Sequence, residues 1–466
     1  MTVAPVRRPT SRALEKALRL FSEVRPAEGP TALILTANVF LLLSAYYVIK
    51  PVREALILSG GGAEVKSYAA AGQAILLLGL VPVYGMLADH LPRRRLLNVV
   101  TAFFVACLVG FWALLRAGVG VGVPFFLWVG IFNLMIVAQF WSFANDIYTK
   151  DQGERLFPIV AVGASAGALS GSALTSGLIG LVGIPELLLA AAGLLVLAAG
   201  LTHVVDTRER RRSERGLPAR LTTAQIPAAT GEYQLTPSPE GVKVTVSQVG
   251  PVRQRGSFEL IFSDRYLLLI ALLMLVLNWV DSNGEYLLGR TVAAAAEAAV
   301  AGGTAGGLDA KAWIGRFYSQ FYIGVNLLGM VLQLFVVSRL LKYAGVRAAV
   351  LVPPAVAVCG YAVLGFVPVL SLVRWVKTAG NATDYSLQNT LRAVLFLPTT
   401  REQKYKAKQA IDSFFVRAGD VLSAVLVGAT HGSFTTMEFA RVNLVLAFVW
   451  LGLAVLVGRH YAEKSQ

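Results

Sequence analysis

The sequence predicts an all-α membrane protein, with twelve transmembrane helices in two pseudo-symmetric six-helix bundles. Composition is the first reason: 56% of the 466 residues are hydrophobic and 15% charged, with a mean hydropathy of +0.63, where a soluble domain carries about a quarter charged residues. Second, apolar runs of the roughly 20 residues needed to cross hydrocarbon recur along almost the whole chain. Backbone satisfaction in lipid leaves only helices or a closed barrel, and runs this long and unbroken select helices. Third, the stretch LPTTREQKYKAKQAIDSFFVRAGD (397–420) has a weaker copy about 251 residues earlier. There Thr149-Lys150-Asp151-Gln152 aligns with Thr400-Arg401-Glu402-Gln403, and Arg155 with Lys406. In both places an apolar run enters a short charged turn and another apolar run follows, as expected of an internally repeated membrane protein.

Residues 1–30 form a basic amphipathic segment without the apolar core of a signal peptide, so they are expected to stay attached and lie on the cytoplasmic surface. The first bundle covers 31–205, with spans expected at 31–58, 68–88, 96–115, 123–147, 156–179 and 185–205. A polar linker, 206–257, opens with TRERRRSERG and continues through TPSPEGVKV with no periodic apolar face. The second bundle, 258–458, has spans expected at 264–288, 312–341, 347–367, 371–396, 406–430 and 439–457, with an Ala/Gly-rich loop after the first of these and a tail at 459–466. The turns holding Arg93 to Arg95, Lys150/Arg155, Arg208 to Arg215, Arg339/Lys342/Arg347 and Arg401/Lys404/Lys406/Lys408 all fall on one side in this order. The positive-inside rule then places both termini in the cytoplasm and the protein in the inner membrane.

The same rule accounts for the net charge of +15, and no soluble domain remains to carry nucleic-acid binding. Cys107 and Cys359 lie in apolar runs, which supports neither a disulfide framework nor a metal site. No cofactor is implied. An ATPase is disfavoured because no G-x-x-x-x-G-K-[ST] loop occurs, and nothing points to an enzyme.

Polar residues inside the apolar runs carry the chemistry. After the second span, Gly85 to Arg95 reads GMLADHLPRRR and resembles the loop signature of the major facilitator superfamily. That resemblance makes Asp89 a helix-end cap and Arg93, Arg94 and Arg95 gating residues. In the first span, YYVIKPVREAL sets Lys50, Arg53 and Glu54 on one helical face. Charges there cost about 2.5–3.5 kcal/mol each at the membrane centre, so they either reach the outer interface or face a wet cavity. Pro51 removes a backbone donor and is expected to kink this helix.

The fourth span ends in AQFWSFANDIYTK, offering Gln139, Trp141 and Asn145 to a planar ligand. Gly163, Gly167 and Gly171 in the fifth form overlapping small-residue steps for helix packing. The seventh span carries Asn278, Asp281 and Glu285; in the tenth, Lys377, Asn381, Asp384, Gln388 and Arg392 make a polar stripe beside Tyr385. Such a stripe avoids lipid and faces either the central cavity or a salt-bridged interface. Arg417 follows in the eleventh span.

Taken together, FWSFANDIY, NWVDSNGEYLLGR and LFLPTTREQKYKAKQAID resemble the ATP/ADP antiporter (nucleotide transporter) family over essentially all twelve helices. The resemblance implies a major-facilitator-like, alternating-access carrier that exchanges nucleotides. The basic position that family members place in the first span matches Arg53, and their seventh-span acid matches Asp281. Their fourth-span glutamate falls near Val129 and their eleventh-span lysine on Asp420, so two of the four charges differ. The expected function is a monomeric secondary carrier for a nucleotide or related phosphorylated anion, with Lys50, Arg53, Lys377, Arg392 and Arg417 directed at phosphate. The alternative is a proton-coupled facilitator for another small molecule, in which Asp281, Glu285 and Asp384 titrate.

Overall fold

The structure, a computed structural model, describes residues 28–90, 93–148, 150–214, 232–238, 241–247, 256–400, 402–430 and 433–465. The expected N-terminal surface segment lies almost wholly outside these residues. Among them, nine helices are long and apolar enough to cross a membrane, and they pack as a helical bundle.

The N-terminal half consists of α1 (Gly29–His90), α2 (Arg93–Arg116), α3 (Gly122–Ile147), α4 (Lys150–Val182) and α5 (Ile184–Glu214). The first two expected spans both fall within α1, which is two helices joined directly across a kink. The non-helical residue within it is Gly62 at φ 72, while Pro51 lies in helical backbone. Glycine tolerates this left-handed backbone at little cost. Gly163, Gly167 and Gly171 set α4 directly on α1: a Cβ at these positions would lie 2.5, 2.3 and 2.3 Å from the carbonyl oxygens of Thr36, Phe40 and Ser44. Between α2 and α3 runs an aromatic stack, with Trp128 5.6 Å from Phe125 and 5.3 Å from Phe132, and Phe104 edge-on to Phe132 at 5.1 Å.

In the linker, the expected irregular chain contains an antiparallel hairpin of β1 (Glu232–Ser238) and β2 (Gly241–Ser247). The C-terminal half follows with α6 (Ser257–Ser263), α7 (Arg265–Ala301), α8 (Ala310–Val331), α9 (Ser338–Tyr343), α10 (Gly345–Ala349), α11 (Val352–Leu364), α12 (Leu370–Thr383), α13 (Asn389–Val394), α14 (Lys408–Ala410), α15 (Val416–Ala429) and α16 (Thr436–Ser465). The alanine run expected as a loop continues α7, since alanine is the strongest helix former. Four π-helical turns, Leu332–Val337, Asp384–Gln388, Gln403–Ala407 and Ile411–Phe415, interrupt this half. A buried network ties α7, α15 and α16: Asn283 donates to Asn443 (3.0 Å), Ser423 donates to Asn283 (2.7 Å), and Asn443 donates to the Val280 carbonyl (2.9 Å).

At the charged turns each half carries a similar clamp. Gln152 and Arg155 reach Glu28, just ahead of α1, at 3.2 and 3.0 Å. Gln403 and Lys464 reach Asp264, the N-cap of α7, at 3.0 and 2.7 Å. Partial burial works to raise the Asp264 pKa, but the bonds from Lys464, the Tyr266 backbone N–H and Gln403 hold it below the ordinary aspartate value. The halves themselves meet at the opposite face. Gly289 packs on Leu58 and Ala63, Gly315 on Ala55 and Ile179, Gly180 on Leu308, and Gly428 on Tyr68.

Candidate functional site

Between the halves lies a cavity of about 330 Å³ lined by α1, Phe126 of α3, α7, α8, α12 with its π turn, and α15. Of the residues read from sequence, Lys50, Arg53, Asn278, Asp281, Glu285, Asn381, Asp384, Tyr385 and Arg417 line it. A second cavity of about 270 Å³ shares Asp384 and Tyr385 and adds Asn389 and Arg392. Because α13 leads from Arg392 into the turn at 395–402, this second space continues the first toward the charged turns.

Charge in the cavity follows a chain of alternating sign. Arg53 pairs with the fully buried Glu54 and stacks on Phe126 at 4.7 Å. Lys66 holds Glu54 at 2.7 Å and Glu285 at 3.3 Å. Lys377 then holds Glu285 at 3.2 Å and Asp281 at 2.5 Å, while Asn381 donates to Glu285 at 3.3 Å. Asp420 accepts from Ser282 (2.6 Å) and Asn278 (2.9 Å) and pairs with Arg417 at 3.5 Å. The five cations Lys50, Arg53, Lys66, Lys377 and Arg417 are matched by the five carboxylates of Glu54, Asp281, Glu285, Asp384 and Asp420.

Two members stand outside this pairing. Lys50 is 8% exposed, and among the described residues no carboxylate lies within 4 Å of it. Its ammonium donates to the Tyr385 hydroxyl at 3.1 Å and sits 4.1 Å from the ring of Tyr322, 5.3 Å from Tyr47, 5.6 Å from Tyr385 and 5.9 Å from Tyr46. Ring faces attract a cation by about 0.5–2 kcal/mol each. The cage therefore lets an ammonium stay charged without a counter-ion and keeps it available to an arriving anion. Asp384, at the start of a π turn and on the wall of both cavities, likewise has no cationic partner among the described residues. π turns recur at functional positions because they re-aim side chains within a helix.

Other expected residues are placed elsewhere. Glu54 lies beneath the cavity wall, Lys377 lies behind Asp281, and Gln388 is buried against Met274. Arg392 faces the second cavity, 3.8 Å from Asp412. Gln139 is buried away from the cavity with its Nε2 unpartnered, Trp141 packs on Phe140 and Phe157, and Asn145 is exposed at the end of α3. None of the three lines either cavity, whose α3 contribution is Phe126. Asp89 ends α1 and Arg93, Arg94 and Arg95 open α2, but the side chains of these four gating candidates lie outside the described residues. Sequence reading missed Lys66, which follows a glycine run read as a loop, and Tyr46 and Tyr322, which sit in apolar runs.

No protein-family model matches the chain, and no curated protein matches it in sequence. Solved structures do match in fold. The nucleoside transporter NupG is 12% identical, with a TM-score of 0.60 over 91% of this chain and 98% of that one. A bacterial homologue of the human lysosomal transporter Spinster, in an inward-facing and unoccupied conformation, is 11% identical with a TM-score of 0.57 over 95% and 99%. An inward-facing bacterial homologue of the iron transporter ferroportin is 13% identical with a TM-score of 0.58 over 94% and 100%. At these identities the likeness is one of fold.

Proposed function

We propose that this protein is an alternating-access secondary carrier for a small anionic solute with a planar ring, of the nucleotide class. The observation that carries the proposal is Lys50, a buried ammonium in a tyrosine cage that lacks a carboxylate partner among the described residues and faces a cavity between two halves. An anionic group gains a charge-assisted bond there, worth about 1.5–3 kcal/mol. Tyr46, Tyr322, Tyr385 and Phe126 offer ring faces for stacking. The fold shared with solved transporters, a nucleoside transporter among them, supports the carrier reading. Because the other lining cations are already paired, the cavity suits one phosphate or carboxylate better than a polyphosphate. This ranks a nucleoside monophosphate above the ATP/ADP exchange implied by the sequence resemblance.

A proton-coupled facilitator is the second reading, favoured by Asp384, a cavity carboxylate without a cationic partner among the described residues. Uptake of labelled adenosine, AMP, ADP and ATP into proteoliposomes, with and without internal nucleotide, distinguishes the two. Uptake of AMP stimulated by internal nucleotide is expected. Uptake that appears only under an imposed pH gradient transfers the case to Asp384, and entry of none of the four contradicts the nucleotide class.

A further inference from the structure

The chain of ion pairs from Arg53 to Asp281 crosses between the halves at one link. Arg53, Glu54 and Lys66 all stand on α1, whereas Glu285 and Asp281 stand on α7 and Lys377 on α12. Lys66 to Glu285, at 3.3 Å, is the step that joins them. Lys66 is firmly based in its own half, its side chain 7% exposed and its second partner Glu54 fully buried; across the seam it also lies 5.3 Å from the Tyr318 ring of α8. Glu285 is 27% exposed and lines the cavity. The link sits at the end where the halves are packed, one residue from a second polar crossing in which Tyr286 donates to Glu64 at 2.9 Å. Around it the seam is made of small residues, with Gly289 against Leu58 and Ala63.

We propose that the Lys66–Glu285 pair is the latch that holds the two halves together on the face away from the charged turns, and that the transported anion releases it by competing with Glu285 for Lys66. The second clause rests on the carrier reading given above; the first does not. Three features support it. Lys66 and Lys50 line the same cavity, so an anion held at Lys50 lies in the space that Lys66 also faces. Glu285 keeps Lys377 and Asn381 as partners when Lys66 leaves, so opening does not strand it. Lys66 keeps Glu54. An ion pair whose partners both have a second partner breaks without leaving a buried charge bare, which is what a reversible latch requires.

The seam supplies its own reporter. A Cβ built on Gly289 lies 3.5 Å from the Cβ of Ala63, within the range that a disulfide spans. In full-length protein with Cys107 and Cys359 replaced by Ser, the pair Ala63→Cys/Gly289→Cys should cross-link under mild oxidant in native membranes. Lys66→Gln and Glu285→Gln should each lower the cross-linking rate by about tenfold, a population shift of the size expected for a lost two-state contact. Lys66→Arg should retain the rate. Asp281→Asn, which alters the chain inside one half only, should leave it unchanged. Monodispersity of each variant in detergent separates opening from misfolding. Equal rates in the wild-type and Lys66→Gln backgrounds, with both proteins folded, overturn the latch. If the variants behave as expected but neither AMP nor ADP slows cross-linking in the Lys66 background, the release clause and the nucleotide reading fall while the latch stands.

Discussion

In the N-terminal half, α2 and α3 meet through Phe104, Phe125, Trp128 and Phe132, and α4 lies on α1 through three glycines. In the C-terminal half, α15 lies on α7 through Gly419, whose Cβ would fall 2.8 Å from the Leu275 carbonyl oxygen, but the polar network of Asn283, Ser423 and Asn443 is added there and four π turns interrupt the helices. The contrast extends to the cavity. Its N-terminal wall comes from one helix, α1, with Phe126 of α3, while the C-terminal half adds residues from α7, α8, α12, the Asp384–Gln388 turn and α15. A dry aromatic core resists repacking because every void forfeits dispersion contacts. The N-terminal half thus serves as the frame against which the polar half is read, and α1 is the part of the frame that carries charge.

If that contrast is right, truncating the aromatic frame costs the most stability. Phe104→Ala removes a fully buried ring and should destabilise by about 3–5 kcal/mol. Detergent melting should fall steeply, with ligand affinity unchanged in the protein that remains folded. On the other side, Asn283→Ala strips partners from Asn443 and Ser423 and should cost about 1–3 kcal/mol, the penalty for leaving buried polar groups unsatisfied. A double replacement, Asn283→Ala with Asn443→Leu, should recover part of that loss; if it compounds it, the network is not what holds this half.

Smaller effects lie in the cavity and at the clamps. Tyr385→Phe deletes the hydroxyl that accepts from Lys50 but keeps the ring. It should change affinity for an anionic ligand by a few-fold, matching the about 0.5–1.5 kcal/mol of one hydrogen bond. The smallest effect expected is a pH dependence. Because Asp264 has a folded-state pKa below its unfolded one, its contribution is present at neutral pH and is lost as the pH falls below about 4. Asp264→Asn should lower the melting temperature slightly at neutral pH and flatten its decline over that acid range, so that variant and wild type converge as the pH falls.

The uneven legibility of the sequence follows from the same contrast. Helices and their membrane character were plain because apolar runs report burial whatever their neighbours. The stripe on α12 was legible because ionised side chains cannot face lipid. That Gln139, Trp141 and Asn145 stay off the cavity wall was not, since a polar residue near a helix end looks the same whether it faces a cavity or the membrane surface. Lys66 was hidden for a different reason. Ser59 to Gly62 reads as a loop, yet the backbone leaves the helix only at Gly62, and the helix that resumes carries Lys66 inward. Tyr322 has the sequence signature of any lipid-facing aromatic, and only its approach to Lys50 gives it meaning.

The central claim is that Lys50 is held charged and unpaired to receive an anion, and equilibrium binding to purified protein tests it most directly. Wild-type protein should bind AMP more tightly than adenosine. In Lys50→Gln the AMP affinity should drop by about tenfold or more, the loss of one charge-assisted bond. Adenosine affinity should stay nearly constant, and melting should be unchanged or higher because a buried cation is gone. Equal binding of AMP and adenosine by the wild type, or an AMP affinity indifferent to Lys50→Gln in a folded protein, would contradict the account.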